Sequence, residues 1–135
     1  MTGGVLVDSN VLLDVLEEDS TWYEWSANEL QRAADNSLLV INTVIYAEVS
    51  IGFQRIEELE EALRPDLFYR RPIPWEAAFL AGKCFMRYRK LGGTRRSPLP
   101  DFFIGAHAAV EKLTLLTRDA TRYRTYFPSL SLIAP

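Results

Sequence analysis

The stretch that decides the fold is residues 4–16, GVLVDSNVLLDVL. Val5 to Val7 form a short apolar run typical of a buried strand, and Asp8 follows it directly. From Val11 the apolar residues change to helical spacing, which predicts a helix after the strand. A carboxylate between a strand and the next helix lies where open α/β sheets bind ligands, but a helix N-cap occupies the same position. The stretch alone leaves both interpretations of Asp8 open.

Apolar runs and helical patterns alternate along the rest of the chain. Further strands are predicted at residues 38–41, 68–73, 114–117 and 129–135, with helical patterns between successive strands. Strands that alternate with helices pair in parallel, and the helices then cover both faces of the sheet. The sequence therefore predicts an α/β fold with a central parallel sheet, in one domain that spans residues 1–135.

The composition excludes several classes of protein. The chain has 135 residues, of which 48% are hydrophobic, so it can bury a substantial core. The single cysteine, Cys84, excludes an intramolecular disulfide framework and is expected to be a buried thiol. No apolar run approaches the roughly 18 residues that a membrane span needs, and no signal peptide is visible. We therefore expect a soluble, cytoplasmic protein.

The charges are distributed unevenly along the chain. The net charge is −3, but residues 1–69 carry 14 acidic and 3 basic side chains, whereas residues 70–135 carry 4 acidic and 12 basic ones. A basic patch can bind a polyanion even when the chain as a whole is acidic. The distribution therefore leaves nucleic-acid binding possible for the second half of the chain.

Four carboxylates from distant segments are expected at one edge of the sheet. Asp8 and Asp119 each follow a buried strand, and Asp101 begins a helix. The carboxyl ends of parallel strands and the first turns of the helices that follow them lie at the same edge. Glu48 lies one to two turns into a helix that starts at this edge. We expect that helix to be largely buried, so that Glu48 either pairs with an arginine or faces the site.

Carboxylates that converge in this way repel each other. Two unit charges 4 Å apart repel by ~4 kcal/mol at an effective dielectric constant near 20. A hard divalent cation relieves the repulsion, and Mg²⁺ and Mn²⁺ prefer carboxylate oxygen, whereas one cysteine and one histidine do not suit zinc. That histidine, His107, faces away from Asp101 around the helix and is expected to be a packed or a surface residue. A role as general base is the minor alternative.

Several motifs resemble, in order and spacing, those of the PIN-domain ribonucleases, with the closest likeness to the VapC group of bacterial toxin–antitoxin systems. These motifs are VDSNVLLD, AEV, LPDFFIGAHA and LLTRDATRYRTYFP. The resemblance covers the chain from Val5 to Pro135 and depends on the ordered set rather than on one motif. It matches the family's four acids to Asp8, Glu48, Asp101 and Asp119, and polar positions beside the site to Asn10 and Thr117.

The resemblance implies a metal-dependent endoribonuclease. Asp8 and Asp101 would be the main ligands of Mg²⁺ or Mn²⁺, and Glu48 and Asp119 would bind directly, through water, or at a second ion. The ion would lower the pKa of a bound water and neutralise charge on the phosphorane. In-line attack by that water would leave a 5′-phosphate and a 3′-hydroxyl. The resemblance also implies a homodimer that a small cognate antitoxin neutralises.

Basic residues near the acids are candidates for substrate binding. Arg95, Arg96 and Arg118 flank Asp101 and Asp119, and they are our predicted phosphate contacts. Single-stranded or looped RNA suits a concave acidic pocket better than a duplex, because the backbone must be accessible there.

Two other interpretations stay open at this point. A PIN-type nuclease could act in RNA processing or on DNA. A non-enzymatic, receiver-like signalling module could also hold Mg²⁺ in an acidic pocket. That class has adjacent acids after the first strand and a phosphorylatable aspartate at the end of a central strand. The pair Asp8-Ser9 and the absence of a third acid-bearing strand count against it.

Overall fold

Five strands form one sheet. The structure is a computed structural model that describes residues 4–94 and 99–135. The strands are β1 (Val5–Val7), β2 (Leu39–Ile41), β3 (Tyr69–Arg70), β4 (Thr114–Leu116) and β5 (Leu132–Ile133). They pair in the order β3-β2-β1-β4-β5, and every pairing is parallel. The predicted α/β fold with a parallel sheet is confirmed.

Seven helices connect or follow these strands within the described part of the chain. They are α1 (Ser9–Leu16), α2 (Tyr23–Asn36), α3 (Thr43–Ser50), α4 (Ile56–Ala62), α5 (Trp75–Lys90), α6 (Leu99–Glu111) and α7 (Thr121–Tyr126). The two outer strands are shorter than the predictions at residues 68–73 and 129–135. Both lie at sheet edges, where a strand has a pairing partner on one side only.

The centre of the sheet is covered on both faces. Val5, Leu6 and Val7 of β1 are all buried, although successive side chains of a strand point to opposite faces. Helices must therefore pack on each face, as the alternating sequence pattern predicts. This arrangement fixes the position of Asp8, because β1 lies between β2 and β4 and delivers Asp8 to the middle of the sheet's C-terminal edge.

Helix α3 is more exposed than its apolar sequence predicts. Of its eight residues, Ile45 and Val49 are buried, while Ala47 is exposed. Ile51, just beyond the helix, is 86% exposed. Residues spaced by two cannot share one helical face, so these apolar positions fall on different sides of the helix. The prediction of a largely buried helix around Glu48 is therefore wrong, and that side chain is half-buried.

His107 joins α6 to the start of α3. It is fully buried, with Nδ1 2.9 Å from Asn42 Nδ2 and Nε2 2.9 Å from Glu111 Oε1. Asn42 Oδ1 caps α3 by accepting from the Ile45 N–H, so the Asn42 amide donates to His107 Nδ1. The ring proton therefore lies on Nε2. Burial lowers the pKa of His107, and of the packed and surface positions expected for it the structure shows the packed one.

Cys84 is buried, as expected for a structural thiol in an apolar helix. No helix in residues 4–94 or 99–135 combines the length and the apolar character needed to cross a bilayer.

Helix α6, which carries Asp101, packs tightly against the chain that follows α7. Gly105 lies directly beneath the aromatic ring of Phe127, and a Cβ added at Gly105 would overlap that ring. Gly82 of α5 offers a contrast, because it is exposed and has no neighbouring atom within 4 Å of a Cβ at that position.

We predict opposite effects of the same substitution at these two glycines. Gly82→Ala should raise the free energy of unfolding by about 0.5–1 kcal/mol, because alanine is the better helix former. Gly105→Ala should lower it by about 1–3 kcal/mol, because the overlap with Phe127 outweighs that gain. Chemical denaturation of both variants measures the difference. Equal stabilisation by the two substitutions would contradict the close contact between α6 and Phe127.

Candidate active site

A cleft of about 590 Å³ opens at the C-terminal ends of β1 and β4. Three of the four predicted acids line it: Asp8 after β1, Asp101 in the first turn of α6, and Asp119 between β4 and α7. Asp101 lies inside its helix rather than at its first residue. The remaining walls come from α1, α5 and α7, through Ser9, Asn10, Tyr88, Thr121, Arg122, Tyr123, Thr125 and Tyr126.

Asp8 is the most buried acid of the cleft, with 3% of its surface exposed. Its Oδ1 accepts from the Ser9 N–H at 2.8 Å, and its Oδ2 accepts from the hydroxyls of Thr117 and Tyr123, each at 2.9 Å. Asp8 therefore caps α1 through Oδ1, and it also lines the cleft. Burial raises the pKa of Asp8 to about 6; nearby negative charge adds to the rise, and the two hydroxyl donors oppose it.

Thr117 and Asn10 form a polar network behind Asp8. Thr117 is buried, and its Oγ1 accepts from Asn10 Nδ2 at 3.3 Å and from the Asp119 N–H at 3.2 Å. Asn10 Oδ1 in turn accepts from the Arg118 N–H at 3.3 Å. The network connects the start of α1 to the loop after β4. Both polar residues thus lie beside Asp8, where the resemblance places them.

Glu48 reaches the cleft through another side chain. Its Oε1 accepts from the Ser9 hydroxyl at 2.7 Å, and Ser9 lines the cleft. Burial raises the pKa of Glu48, with a smaller contribution from the charge of Asp101. Among residues 4–94 and 99–135, no arginine pairs with Glu48.

Asp101 is paired with an arginine of α7. Arg122 Nη1 donates to Asp101 Oδ2 at 2.8 Å, and each of the two side chains is 33% exposed. Burial raises the pKa of Asp101, and Arg122 opposes the rise. Asp119, by contrast, is exposed and accepts from the Thr121 N–H at 3.3 Å.

The side chain of Arg118 is directed at a different acid. Its Nε lies 2.9 Å from Oδ2 of the buried Asp14, and its guanidinium lies over the ring of Trp22. Arg118 is not among the residues that line the cleft, so the structure does not support the predicted phosphate contact. The other two predicted contacts, Arg95 and Arg96, lie outside the described residues.

The side chains of the cleft have the oxygen atoms that a hard cation prefers, but their arrangement in this structure does not bring enough of them together to bind one. The charged donors of the cleft are carboxylates, and hydroxyls lie beside them, which is the oxygen set that Mg²⁺ and Mn²⁺ prefer. As the side chains lie, however, no three acidic, histidine or cysteine groups of the described chain are close enough to hold one ion. Asp101 is bound to Arg122 and Glu48 to Ser9, so a metal ion would need these side chains to move.

Sequence reasoning missed two residues that hold the acids in place. Tyr123 donates to Asp8 from a position that is 2% exposed, and Ser9 donates to Glu48. A usable signal exists for Tyr123, because it follows Asp119 by one helical turn and so returns to the same edge of the sheet.

The fold and the cleft define an α/β protein whose acids meet at the C-terminal edge of a parallel sheet. The model of the PIN-domain family matches residues 5–128. The chain belongs to the PIN-domain family, and this membership decides against the receiver-like alternative. Comparison with curated protein sequences gives no match.

Solved structures share this fold at low sequence identity. The structure of VapBC2 from Rickettsia felis bound to a promoter DNA fragment has a chain with 19% identity and a TM-score of 0.73, covering 97% of this chain and 98% of that one. FitAcB from Neisseria gonorrhoeae gives 18% identity and a TM-score of 0.72, with 96% of each chain covered. A toxin–antitoxin complex from Klebsiella pneumoniae has a chain with 21% identity and a TM-score of 0.68, and the match covers 96% of each chain.

We predict that Asp8→Asn changes stability in a pH-dependent way when metal is removed with EDTA. Because the pKa of Asp8 is raised from 3.8 to about 6 on folding, the folded state binds more protons between these values. The native protein therefore loses stability as the pH rises from 4 to 7, by up to roughly 3 kcal/mol from this group. Asp8→Asn does not lose stability in this way. The free energy of unfolding of the variant minus that of the native protein should therefore increase from pH 4 to pH 7.

Denaturant titrations at pH 4 and pH 7 measure this effect, with Asp35→Asn as the control. Asp35 is an exposed acid of α2, and its replacement should change the free energy of unfolding by less than about 0.5 kcal/mol at either pH. If Asp8→Asn were unfolded at pH 7 without metal while the native protein stayed folded, Asp8 would be a structural cap and not a destabilising site residue.

Proposed function

We propose that this protein is a divalent-metal-dependent endoribonuclease and the toxin of a toxin–antitoxin pair, in a single nuclease domain over residues 1–135. The observation that carries the proposal is the cleft in which Asp8, Asp101 and Asp119 meet, with Glu48 attached through Ser9. Membership of the PIN-domain family supports nuclease activity, and the oxygen-only donors favour Mg²⁺ or Mn²⁺.

The roles of the acids follow from their positions. Asp8 and Asp101 would hold the ion, and Glu48 and Asp119 would complete its surroundings directly, through water, or at a second ion. The ion, when bound, lowers the pKa of a water ligand and stabilises charge on the phosphate. The hydroxyls of Thr117 and Tyr123 keep Asp8 oriented, and Asn10 supports Thr117, so the carboxylate is fixed before an ion arrives.

The aromatic wall of the cleft favours single-stranded or looped RNA. Tyr88 and Tyr126 line the cleft, and the guanidinium carbon of Arg87 lies 5.3 Å from the centre of the Tyr126 ring. Aromatic rings and guanidinium planes are the groups on which unpaired bases stack. A base can reach them only when it is not paired inside a duplex.

The partners are also part of this proposal. Structures that share the fold are toxin–antitoxin complexes, which supports a cognate antitoxin here. Helix α5 exposes an apolar row in which Trp75 is 90% exposed, Phe79 70% and Met86 45%, and such a surface is available for protein contacts. We propose a cytoplasmic homodimer that the antitoxin inhibits.

We predict that Asp8→Asn and Asp101→Asn each reduce cleavage of cellular RNA by at least about 100-fold, because each removes a charge that holds the ion. EDTA should abolish the activity of the native protein, and Mn²⁺ should restore it. Asp66→Asn is the control, since Asp66 is an exposed acid paired with Arg64, away from the cleft. Sequencing of the cut ends should show 5′-phosphates. Undiminished cleavage in EDTA, or by Asp101→Asn, would contradict the metal site.

We also predict a preference for unpaired substrate. One RNA oligonucleotide, tested alone and annealed to its complement, should be cut at least about tenfold faster as a single strand, because its bases can then reach Tyr88 and Tyr126. The same sequence as single-stranded DNA separates the alternatives. Faster cleavage of the DNA would favour a nuclease that acts on DNA, whereas equal rates on duplex and single strand would exclude the stacking role.

A further inference from the structure

Arg122 is ion-paired with Asp101, one of the two acids proposed to hold the metal ion. Its Nη1 lies 2.8 Å from Asp101 Oδ2, and its guanidinium carbon lies 5.8 Å from the centre of the Tyr88 ring. Arg122 also lines the cleft. The guanidinium of Arg122 therefore supplies a positive charge that offsets the charge of Asp101.

The surrounding charges explain why an arginine is placed there. The charge of Asp119 acts on Asp101, and that of Asp101 acts on both Asp8 and Glu48. Without a cation these acids would repel each other, and a guanidinium bound to Asp101 reduces that repulsion. An arginine and a divalent ion cannot share the same carboxylate oxygen without repelling each other. Binding of one at this oxygen therefore opposes binding of the other.

The other arginines near the cleft have different partners. Arg118 is held by the buried Asp14, and Arg87 lies over Tyr126 without lining the cleft. Arg124 is exposed on the same short helix as Arg122 and is also not part of the cleft lining. Among the arginines of residues 4–94 and 99–135, Arg122 is the one with direct access to both Asp101 and the cleft.

We propose, on the basis of the proposed function, that Arg122 is an internal counter-ion that a divalent cation displaces from Asp101 and that then binds a substrate phosphate. The contact with Tyr88 would keep the guanidinium at the cleft wall after it leaves the carboxylate. Its planar set of donors matches phosphate oxygens as well as it matches a carboxylate. Arg122 therefore exchanges one anionic partner for another when metal and substrate are both present.

The proposal requires that one substitution strengthen the binding of metal and weaken the binding of RNA. Arg122→Gln removes the competing charge, so Mn²⁺ should bind about three- to tenfold more tightly in the absence of RNA. At saturating Mn²⁺ the same variant should have a KM for single-stranded RNA raised by about three- to tenfold, because the phosphate contact is lost. A purely structural role for Arg122 would weaken both metal binding and RNA binding.

The test is titration calorimetry of the full chain with Mn²⁺, followed by cleavage kinetics on one RNA oligonucleotide. Arg124→Gln is the matched control, because it makes the same change of charge on the same helix. Its Kd for Mn²⁺ and its KM for the RNA should both stay within about twofold of the native values. Arg122→Met keeps the apolar stem against Tyr88 and carries the same expectations, so the test does not depend on the folding of one variant.

Each outcome has a separate meaning. Mn²⁺ affinity in both Arg122 variants that equals or falls below the native value would overturn the counter-ion role, while the metal site of the proposed function would stand. Tighter Mn²⁺ binding with an unchanged KM would overturn the phosphate contact. No Mn²⁺ binding by the native protein or any variant would overturn the metal site itself, and this inference with it.

Discussion

The rest of the structure depends on the burial of one carboxylate, that of Asp8, at the C-terminal edge of the central strand. Burial disfavours its charged form, as its raised pKa shows. The surrounding residues respond to that constraint. Thr117 from the loop after β4 and Tyr123 from α7 both donate to the same oxygen, and the Ser9 N–H satisfies the other. A single anionic group thus connects the first strand to two segments more than a hundred residues away.

Two arginines of the second half of the chain are ion-paired with acids of α1 and α6. Arg118 neutralises Asp14, which is buried in α1, and Arg122 neutralises Asp101. The first pair joins the acidic first half of the chain to the basic second half, whereas the second lies within the second half. Under the further inference proposed above, Arg122 would exchange Asp101 for a substrate phosphate when a metal ion binds.

A neutral hydrogen bond outside the cleft supports its geometry. His107 joins Asn42, the cap of α3, to α6, and these two helices carry Glu48 and Asp101. Because Asn42 uses its oxygen for the cap, His107 must accept at Nδ1 and remain neutral. A charged histidine would disturb this connection, which is consistent with its complete burial. The spacing between the helices that carry Glu48 and Asp101 is thus set in part by a residue that does not line the cleft.

The sequence by itself determined the α/β class, the parallel sheet and the burial of Cys84, because strand and helix periods are local and alternating strands and helices favour parallel pairing. It also indicated Asn10 and Thr117 beside Asp8. Only the tertiary structure decided that Tyr123 and Ser9 hold the acids, that Arg118 binds Asp14, that Arg122 meets Asp101, and that one side of α3 is exposed. A periodic pattern shows which residues face the interior, but the pairing of polar groups depends on side-chain directions in segments far apart in the chain. No local pattern contains that information.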